Sequence, residues 1–149
     1  MAKENHFVYN PFGQRKMEFG AMSIFQGTAA YAGCLRNAQN VRVQGTSSSF
    51  GMSCFAELNK AIKQLGARSL CTVYDSVELE VPLEHAAEVL ELSFLHLNDY
   101  PVQRFDWLDL PVGVDAEIGL TWGGAEHIPR GATQLYIEDR YNTWRRQNV

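Results

Sequence analysis

The sequence has few cysteines, no long apolar run and no excess of positive charge, and each shortage excludes a class of protein. Its three cysteines, Cys34, Cys54 and Cys71, have no CxxC spacing, which argues against a disulfide framework or a zinc site; we expect three buried thiols. No run of about 18 apolar residues exists and no apolar secretory signal follows Met1, so we expect no membrane contact and a cytoplasmic location. The net charge of −4 argues against a non-specific DNA coat, so any contact with nucleic acid should be local.

The length and composition fit one globular domain, because 149 residues with 46% hydrophobic content can bury a hydrophobic core. The first part of the chain predicts a hairpin, with strands Phe7–Tyr9 and Gln14–Met17 around a turn at Asn10–Gly13 that contains Pro and Gly. Good helix formers from Ala29 to Gln39 then predict a helix that leads into a loop at 41–45, where β-branched residues and Gly45 interrupt the pattern.

A second helix is predicted to start at a cap on Thr46 or Ser47 and to stop at Gly66. Two strand-like runs follow, 69–73 and 77–81, and the polar residues 74–76 join them as the tip of a hairpin. A proline at the first helical turn, Pro82, precedes an apolar stripe that predicts a helix ending near Leu97. Residues 112–120 predict one more strand.

The tail after Trp122 is polar and aromatic. Within it, Ile137, Tyr141 and Trp144 follow i, i+4, i+7 spacing, which predicts a short helix that docks on a partner. The alternative is a disordered tail. We therefore divide the chain into residues 1–122 and a C-terminal extension, residues 123–149.

Three segments and a terminal strand carry a resemblance to a known family. They are, in order, Phe7–Arg15 (FVYNPFGQR), Arg36–Thr46 (RNAQNVRVQGT), Thr72–Pro82 (TVYDSVELEVP) and Leu110–Trp122. These resemble the GYVxTxxGRRR hairpin, the RxxxNxxxQGT segment, motif C and the terminal strand of family A DNA polymerases, the group of bacterial polymerase I and many phage replicases. The match covers roughly residues 7–122.

The resemblance implies an α+β fold, with an antiparallel palm-type sheet and packed helices. It makes residues 1–122 a partial palm domain, which a partner chain would complete. The family's other metal-binding aspartate, its fingers helix and its thumb all lie upstream of the hairpin, and six residues before Phe7 cannot hold them. The expected partner is an upstream polymerase polypeptide that supplies these parts, and the expected substrates are primer-template DNA and dNTP.

Motif C of the family usually reads His-Asp-Glu, whereas this chain has Tyr74, Asp75 and Ser76. The resemblance makes Asp75 the catalytic, metal-binding residue, places Tyr74 at the primer end and leaves Ser76 to bond a water or the backbone near the metals. The alternatives are an ordinary turn aspartate, since Asp and Ser favour turns, and a Tyr74 that packs in the core beside the hairpin.

Nucleotidyl transfer relies on positioning and on charge neutralisation by two Mg²⁺ ions about 3.5–4 Å apart. Each Mg²⁺ takes only one or two protein carboxylates besides waters and substrate phosphates. Asp75 alone would thus provide half of a site, and the partner chain would share both ions.

Arg36, Asn40 and Gln44 recur every four residues, and we expect the first two on one helix face with Gln44 in the following loop. By the resemblance they face the primer strand and the new base pairs, where minor-groove acceptors common to all pairs permit contact without sequence readout. Arg15 is a candidate contact to the DNA backbone. The alternatives are a solvated polar face and an ordinary surface arginine.

The sequence therefore predicts the C-terminal palm subunit of a split DNA-directed DNA polymerase, encoded by a phage and active only with its partner. Met1-Ala2-Lys3-Glu4 resembles a natural translation start. One alternative is a non-catalytic DNA-binding or scaffolding remnant within a replication complex, which the missing second carboxylate of motif C favours. Another is a piece cut from a longer polymerase.

Overall fold

The computed structural model describes residues 7–17 and 27–148. The chain forms two compact units, Met1–Met52 and Ser53–Val149. No helix in the described residues is both long enough and apolar enough to cross a membrane.

The first unit begins with the predicted hairpin. Strands β1 (Phe7–Tyr9) and β2 (Arg15–Met17) pair antiparallel, with Tyr9 opposite Arg15. The turn between them contains Gly13 at φ 76°, a left-handed conformation that glycine adopts at little steric cost. Val8 is the buried residue of β1.

Helix α1 (Ala29–Ile62) follows and continues into the second unit. The Thr28 hydroxyl accepts a hydrogen bond from the backbone N–H of Tyr31 at 3.2 Å, which satisfies one of the free donors at the helix start. The predicted loop at 41–45 and the predicted cap at Thr46 or Ser47 are wrong, because the helix runs through all of these residues. β-branched residues cost a helix less than about 1 kcal/mol each, and the Thr46 hydroxyl donates to the Arg42 carbonyl inside the helix rather than capping a new one.

In the second unit, the helix ends in a 3₁₀ turn at Lys63–Leu65, and Gly66 stops it at φ 73° as the sequence predicts. The hairpin of β3 (Arg68–Val73) and β4 (Ser76–Glu80) comes next. Its register shifts between Ser69 and Cys71, so that one strand carries an extra residue, a β-bulge that bends the strand locally.

The predicted helix after Pro82 is present but continues beyond Leu97. It consists of a 3₁₀ turn at Leu83–His85, α2 (Ala86–Phe94), a π-helical turn at Leu95–Asp99 and α3 (Tyr100–Arg104). Pro101 has no N–H to donate and its ring would clash with the carbonyl four residues earlier. The wider π turn just before it lets the helix continue past the proline.

The strand predicted at 112–120 is shorter than expected. β5 (Ala116–Ile118) pairs antiparallel with β6 (Glu126–Ile128), a strand that the sequence did not indicate, over three residue pairs only. The predicted tail helix is confirmed as α4 (Gln134–Asn148).

Two clusters of buried side chains form the core of the second unit. The first joins α1 to the β3–β4 hairpin and α2, and the second joins α2 to β6 and α4. Their buried members are Leu58, Ile62, Ala67 and Val89 in the first cluster and Ala86, Ile128 and Ile137 in the second. Ile137 is 1% exposed, so α4 packs on its own chain; docking of the tail on a partner stays a prediction, as does the boundary at residue 122.

The prediction of an α+β fold is confirmed: helices combine with three two-stranded antiparallel sheets, β1–β2, β3–β4 and β5–β6. The prediction of three buried thiols is wrong. Cys54 is buried, Cys34 is half-buried and Cys71 is exposed, because Cys71 lies on β3, a strand none of whose residues is buried. Burial raises the pKa of the Cys54 thiol.

Candidate functional site

The β3–β4 hairpin presents the predicted catalytic segment at its tip. The last residue pair is Val73 with Ser76, so Tyr74 and Asp75 form a two-residue loop. On β4, Val77 and Leu79 pack against the first core cluster, and this anchors the strand that leads from the loop. The tip therefore lies next to a strand, β4, that is packed on the core, while the side chains of Tyr74 and Asp75 stay outside the core.

Tyr74 is fully exposed and has a φ of 56°. Hairpin loops favour glycine where their first residue has a positive φ, and a bulky side chain there costs roughly 1–2 kcal/mol. The alternative that Tyr74 packs in the core is wrong, since its side chain is 101% exposed. Core packing therefore does not explain the positive φ at Tyr74.

The carboxylate of Asp75 is exposed, and no hydrogen bond or ion pair to it occurs within the described residues. The Ser76 hydroxyl donates to the Val73 carbonyl at 3.0 Å. This bond makes Ser76 part of the turn, so the carboxylate of Asp75 is the one free acidic group of the loop in the described part of the chain. A role for Ser76 beside a metal stays a prediction.

Mg²⁺ binds carboxylate oxygen, and an exposed, unpaired aspartate fits that requirement. Across residues 7–17 and 27–148, however, no three His, Cys, Asp or Glu side chains lie close enough to hold a metal ion together. A Mg²⁺ site that included Asp75 would therefore need further ligands from beyond the described residues.

In the first unit, α1 carries all three of the polar residues predicted to face DNA. Arg36, Asn40 and Gln44 lie on the helix at four-residue intervals, and each is exposed. The expectation that a loop presents Gln44 is wrong, because the helix does not break at 41–45. Residues four apart lie about 40° apart around a helix, so the three form one polar stripe, here called the α1 stripe.

The β1–β2 hairpin is fastened to α1 through Asn10, which is only 6% exposed. Its side-chain oxygen accepts the backbone N–H groups of Phe12 and Gln14 at 3.1 and 3.0 Å. Its side-chain nitrogen donates to Gln14 Oε1 at 3.0 Å and to Ser49 Oγ at 3.4 Å. The Ser49 hydroxyl also lies 2.6 Å from Gln14 Oε1 and 2.7 Å from the carbonyl of Gly45. Sequence reasoning missed this group, although an Asn that begins a Pro-Gly turn is a signal for such bonds.

Arg15 follows that turn directly and is exposed. Its guanidinium carbon lies 5.0 Å from the centre of the Phe7 ring on the neighbouring strand, within the range of a cation–π contact. The contact is made by the charged guanidinium itself, on a residue that is otherwise exposed to solvent.

The two units have net charges of opposite sign, which the net charge of the whole chain does not show. Residues 1–52 contain five Lys or Arg and two Asp or Glu, a net charge of +3, whereas residues 53–149 contain eight and fifteen, a net charge of −7. The described part of the first unit contains basic residues and no acidic one. A positive half on an acidic chain is typical of local contact with a polyanion.

A cleft of about 570 Å³ lies within the second unit, lined by Cys54, Glu57, His96, Tyr100, Pro101, Gln103 and Arg104. The Glu57 carboxylate lies 3.0 Å from Lys60 Nζ and 3.7 Å from Arg104 Nη1, so the acidic and basic groups at the cleft largely neutralise one another. None of the residues predicted to act on DNA or metal lines it.

Known proteins with similar sequences are DNA polymerases. The chain is 35% identical to the thermostable DNA polymerase I of Thermus filiformis over 88 residues, which cover 58% of this chain and 10% of that protein. It is 30% identical to the mitochondrial DNA polymerase I B of Oryza sativa subsp. japonica over 128 residues, which cover 85% of this chain and 12% of that protein. The chain spans about a tenth of the length of the curated relatives it matches. No protein-family model matches it.

Proposed function

We propose that this chain is the C-terminal palm subunit of a split, phage-encoded DNA-directed DNA polymerase of family A. The similarity to DNA polymerase I supports a polymerase-related function. In this proposal the chain binds primer-template DNA, supplies one metal-binding carboxylate and works with a second polypeptide in the host cytoplasm.

The observation that carries the proposal is the exposed carboxylate of Asp75, which is unpaired among the described residues. This carboxylate projects from a two-residue loop whose neighbour Tyr74 is held at a φ of 56°. An ordinary turn aspartate bonds its own backbone, and Asp75 makes no such bond. A free carboxylate on an anchored hairpin suits a metal ligand better than a turn-forming residue.

When bound, two Mg²⁺ ions would neutralise the charge that develops on the transferred phosphoryl group. Asp75 is the one residue of this chain that we assign to holding them, so the other aspartate must come from the partner, together with the cations that bind the triphosphate. Tyr74, with its phenol in solvent next to Asp75, would donate a hydrogen bond at the primer end. Ser76 would keep the turn closed.

The first unit would hold the DNA. The α1 stripe offers amide and guanidinium donors that are unpaired among the described residues, and such donors suit the minor-groove acceptors that every base pair shares. The net charge of +3 on residues 1–52 would attract phosphate while the acidic second unit would repel it. Arg15 would contact the backbone rather than a base.

The test is primer extension by the chain together with its partner. Asp75→Asn removes the charge without changing the shape of the side chain, so we expect it to abolish incorporation while the two polypeptides still assemble. Ser76→Ala is the matched control, since it removes a neutral hydroxyl that bonds the Val73 carbonyl, and we expect at most a mild loss. Activity of Asp75→Asn within a few-fold of wild type would reject the assignment.

A requirement for the partner is tested separately. The chain alone should not extend a primer with Mg²⁺ and all four nucleotides, and adding a polypeptide with the missing aspartate and fingers should produce activity. Robust extension by a monodisperse single chain would overturn the split-enzyme proposal. It would leave the role of Asp75 standing.

The rival proposal is a non-catalytic, DNA-binding or scaffolding remnant of a palm. One observation favours it: the neighbour of Asp75 is Ser76, whose hydroxyl is engaged by the Val73 carbonyl, where motif C has a second carboxylate. On this proposal Asp75→Asn would leave every function of the complex intact, whereas substitutions in the α1 stripe would weaken DNA binding. Comparing Asp75→Asn with a substitution in the α1 stripe therefore separates a catalytic subunit from a non-catalytic one.

A further inference from the structure

We propose that Asn10, Gln14 and Ser49 form a positioning group that sets Arg15 for contact with the DNA backbone. The inference rests on the proposed function and deepens it, since it assigns roles to three residues that do not themselves touch DNA. All three lie in the first unit.

The group does two separate tasks. Within the hairpin, the Asn10 side-chain oxygen accepts the N–H groups of Phe12 and Gln14 at 3.1 and 3.0 Å, which fixes the turn that leads into β2. Across to the helix, Ser49 Oγ lies 2.6 Å from Gln14 Oε1 and 3.4 Å from Asn10 Nδ2. These two bonds to Ser49 join residues that are 35 and 39 positions apart in sequence, so they are tertiary contacts and not part of the turn itself.

The helix lies close to this group at Gly45, one turn before Ser49. A Cβ built on Gly45 would lie 3.6 Å from Asn10 Nδ2, at van der Waals distance. The Gly45 carbonyl lies 2.7 Å from the Ser49 hydroxyl. Since the hydroxyl has one proton, it donates either to the Gly45 carbonyl or to Gln14 Oε1 at any moment.

Arg15 is the next residue after Gln14, and Gly45 is the next residue after Gln44. In the bonded pair Gln14–Ser49, Gln14 is therefore one residue from the proposed backbone contact, and Ser49 lies about one and a half helical turns beyond the end of the α1 stripe. Phosphate contacts set the register of a protein on DNA, so an arginine on a loose hairpin would contribute less than one fastened to the helix.

Ser49→Ala tests the proposal most cleanly, because it removes the bond across to the helix and leaves the bonds of Asn10 within the turn. Ser48→Ala, one residue away and exposed, is the matched control. Affinity for a fluorescently labelled primer-template duplex is measured by anisotropy with the full chain, for Ser49→Ala, Arg15→Ala and the double variant. Thermal unfolding is recorded for each, and Ser49→Thr, which restores the hydroxyl, is tested for rescue.

If Ser49 acts through Arg15, each single variant weakens binding by about three- to tenfold, and the double variant is no weaker than Arg15→Ala. Ser48→Ala binds as wild type, and Ser49→Thr recovers the affinity. Wild-type affinity in Ser49→Ala, or losses that multiply in the double variant, would overturn the positioning role.

If Arg15→Ala weakens binding and Ser49→Ala does not, this inference alone fails. If Arg15→Ala, Arg36→Ala and Gln44→Ala all bind as wild type, the proposed DNA contact fails with it.

Discussion

The guanidinium of Arg130 binds both carboxylate oxygens of Asp99, with Nη1 3.0 Å from Oδ1 and Nη2 2.5 Å from Oδ2. The same guanidinium lies 5.3 Å from the centre of the Phe94 ring, and the N–H of Gly131 donates to Glu91 Oε1 at 2.8 Å. These contacts hold the loop between β6 and α4 against α2 and the π turn. The loop leads into the tail helix, so the pair helps to integrate residues 123–148 into the second unit.

Arg130→Ala should lower the melting temperature at pH 7, with a loss that shrinks in acid. Hydrogen bonds from Arg130, which contributes most, and from Asn98 lower the pKa of Asp99 from its ordinary 3.8 to about 2. A lowered folded-state pKa means that the pair stabilises above about pH 4 and stops doing so as the pH falls toward 2. Both side chains are solvent-accessible, so added salt should also reduce the difference.

The measurement is thermal unfolding followed by circular dichroism between pH 2 and pH 7. Arg145→Ala is the control, because Arg145 is exposed and makes no ion pair within the described residues. A difference between Arg130→Ala and wild type that stays constant from pH 7 to pH 2 would contradict the assigned pair.

Gly124→Ala should destabilise the second unit, whereas Gly123→Ala should not. A Cβ on Gly124 would lie 2.8 Å from Cζ2 of Trp144, and one on Gly123 would meet nothing within 4 Å. Overpacking of this kind typically costs about 1–3 kcal/mol. Urea unfolding of the two variants compares them directly; equal stability would mean that the ring of Trp144 moves aside without cost.

Tyr74→Gly should raise stability and lower polymerase activity. Glycine adopts the left-handed conformation at φ 56° without a Cβ penalty, so we expect a gain of up to about 1 kcal/mol. Primer extension by the assembled enzyme should fall because the phenol is lost. Tyr74→Phe is the companion variant, which keeps the backbone strain and removes only the hydroxyl; unchanged extension in both would exclude contact with the primer.

Gln44→Ala and Arg36→Ala should each weaken primer-template binding or extension without changing sequence preference, because the donors of the α1 stripe would meet acceptors that all base pairs share. Gln39→Ala serves as the control, since Gln39 is exposed on the same helix about 100° from Asn40. Extension from matched and mismatched primer ends is the measurement. No change in either assay for both variants would reject the DNA-facing assignment.

Local signals in the sequence were enough to predict several elements. The Pro-Gly turn of Asn10–Gly13 predicted the first hairpin, the polar tip at 74–76 predicted the second, and Gly66 marked the end of α1. The i, i+4, i+7 spacing of Ile137, Tyr141 and Trp144 predicted the tail helix. In each case the deciding interaction lies within a few residues, and a single sequence contains that information.

Other features depended on residues that are distant in sequence, and only the tertiary structure decided them. The helix continues through 41–45 because weak propensities there are outweighed by helical hydrogen bonding and by the hairpin that Asn10 and Ser49 fasten to it. β6 forms because residues 116–118 pair with residues 126–128, and Cys71 is exposed because β3 leaves most of its side chains in solvent. Likewise, the free carboxylate of Asp75 and the strain at Tyr74 arise from how the two strands close, since strand pairing sets the loop length, the backbone angles and the side chains left in solvent.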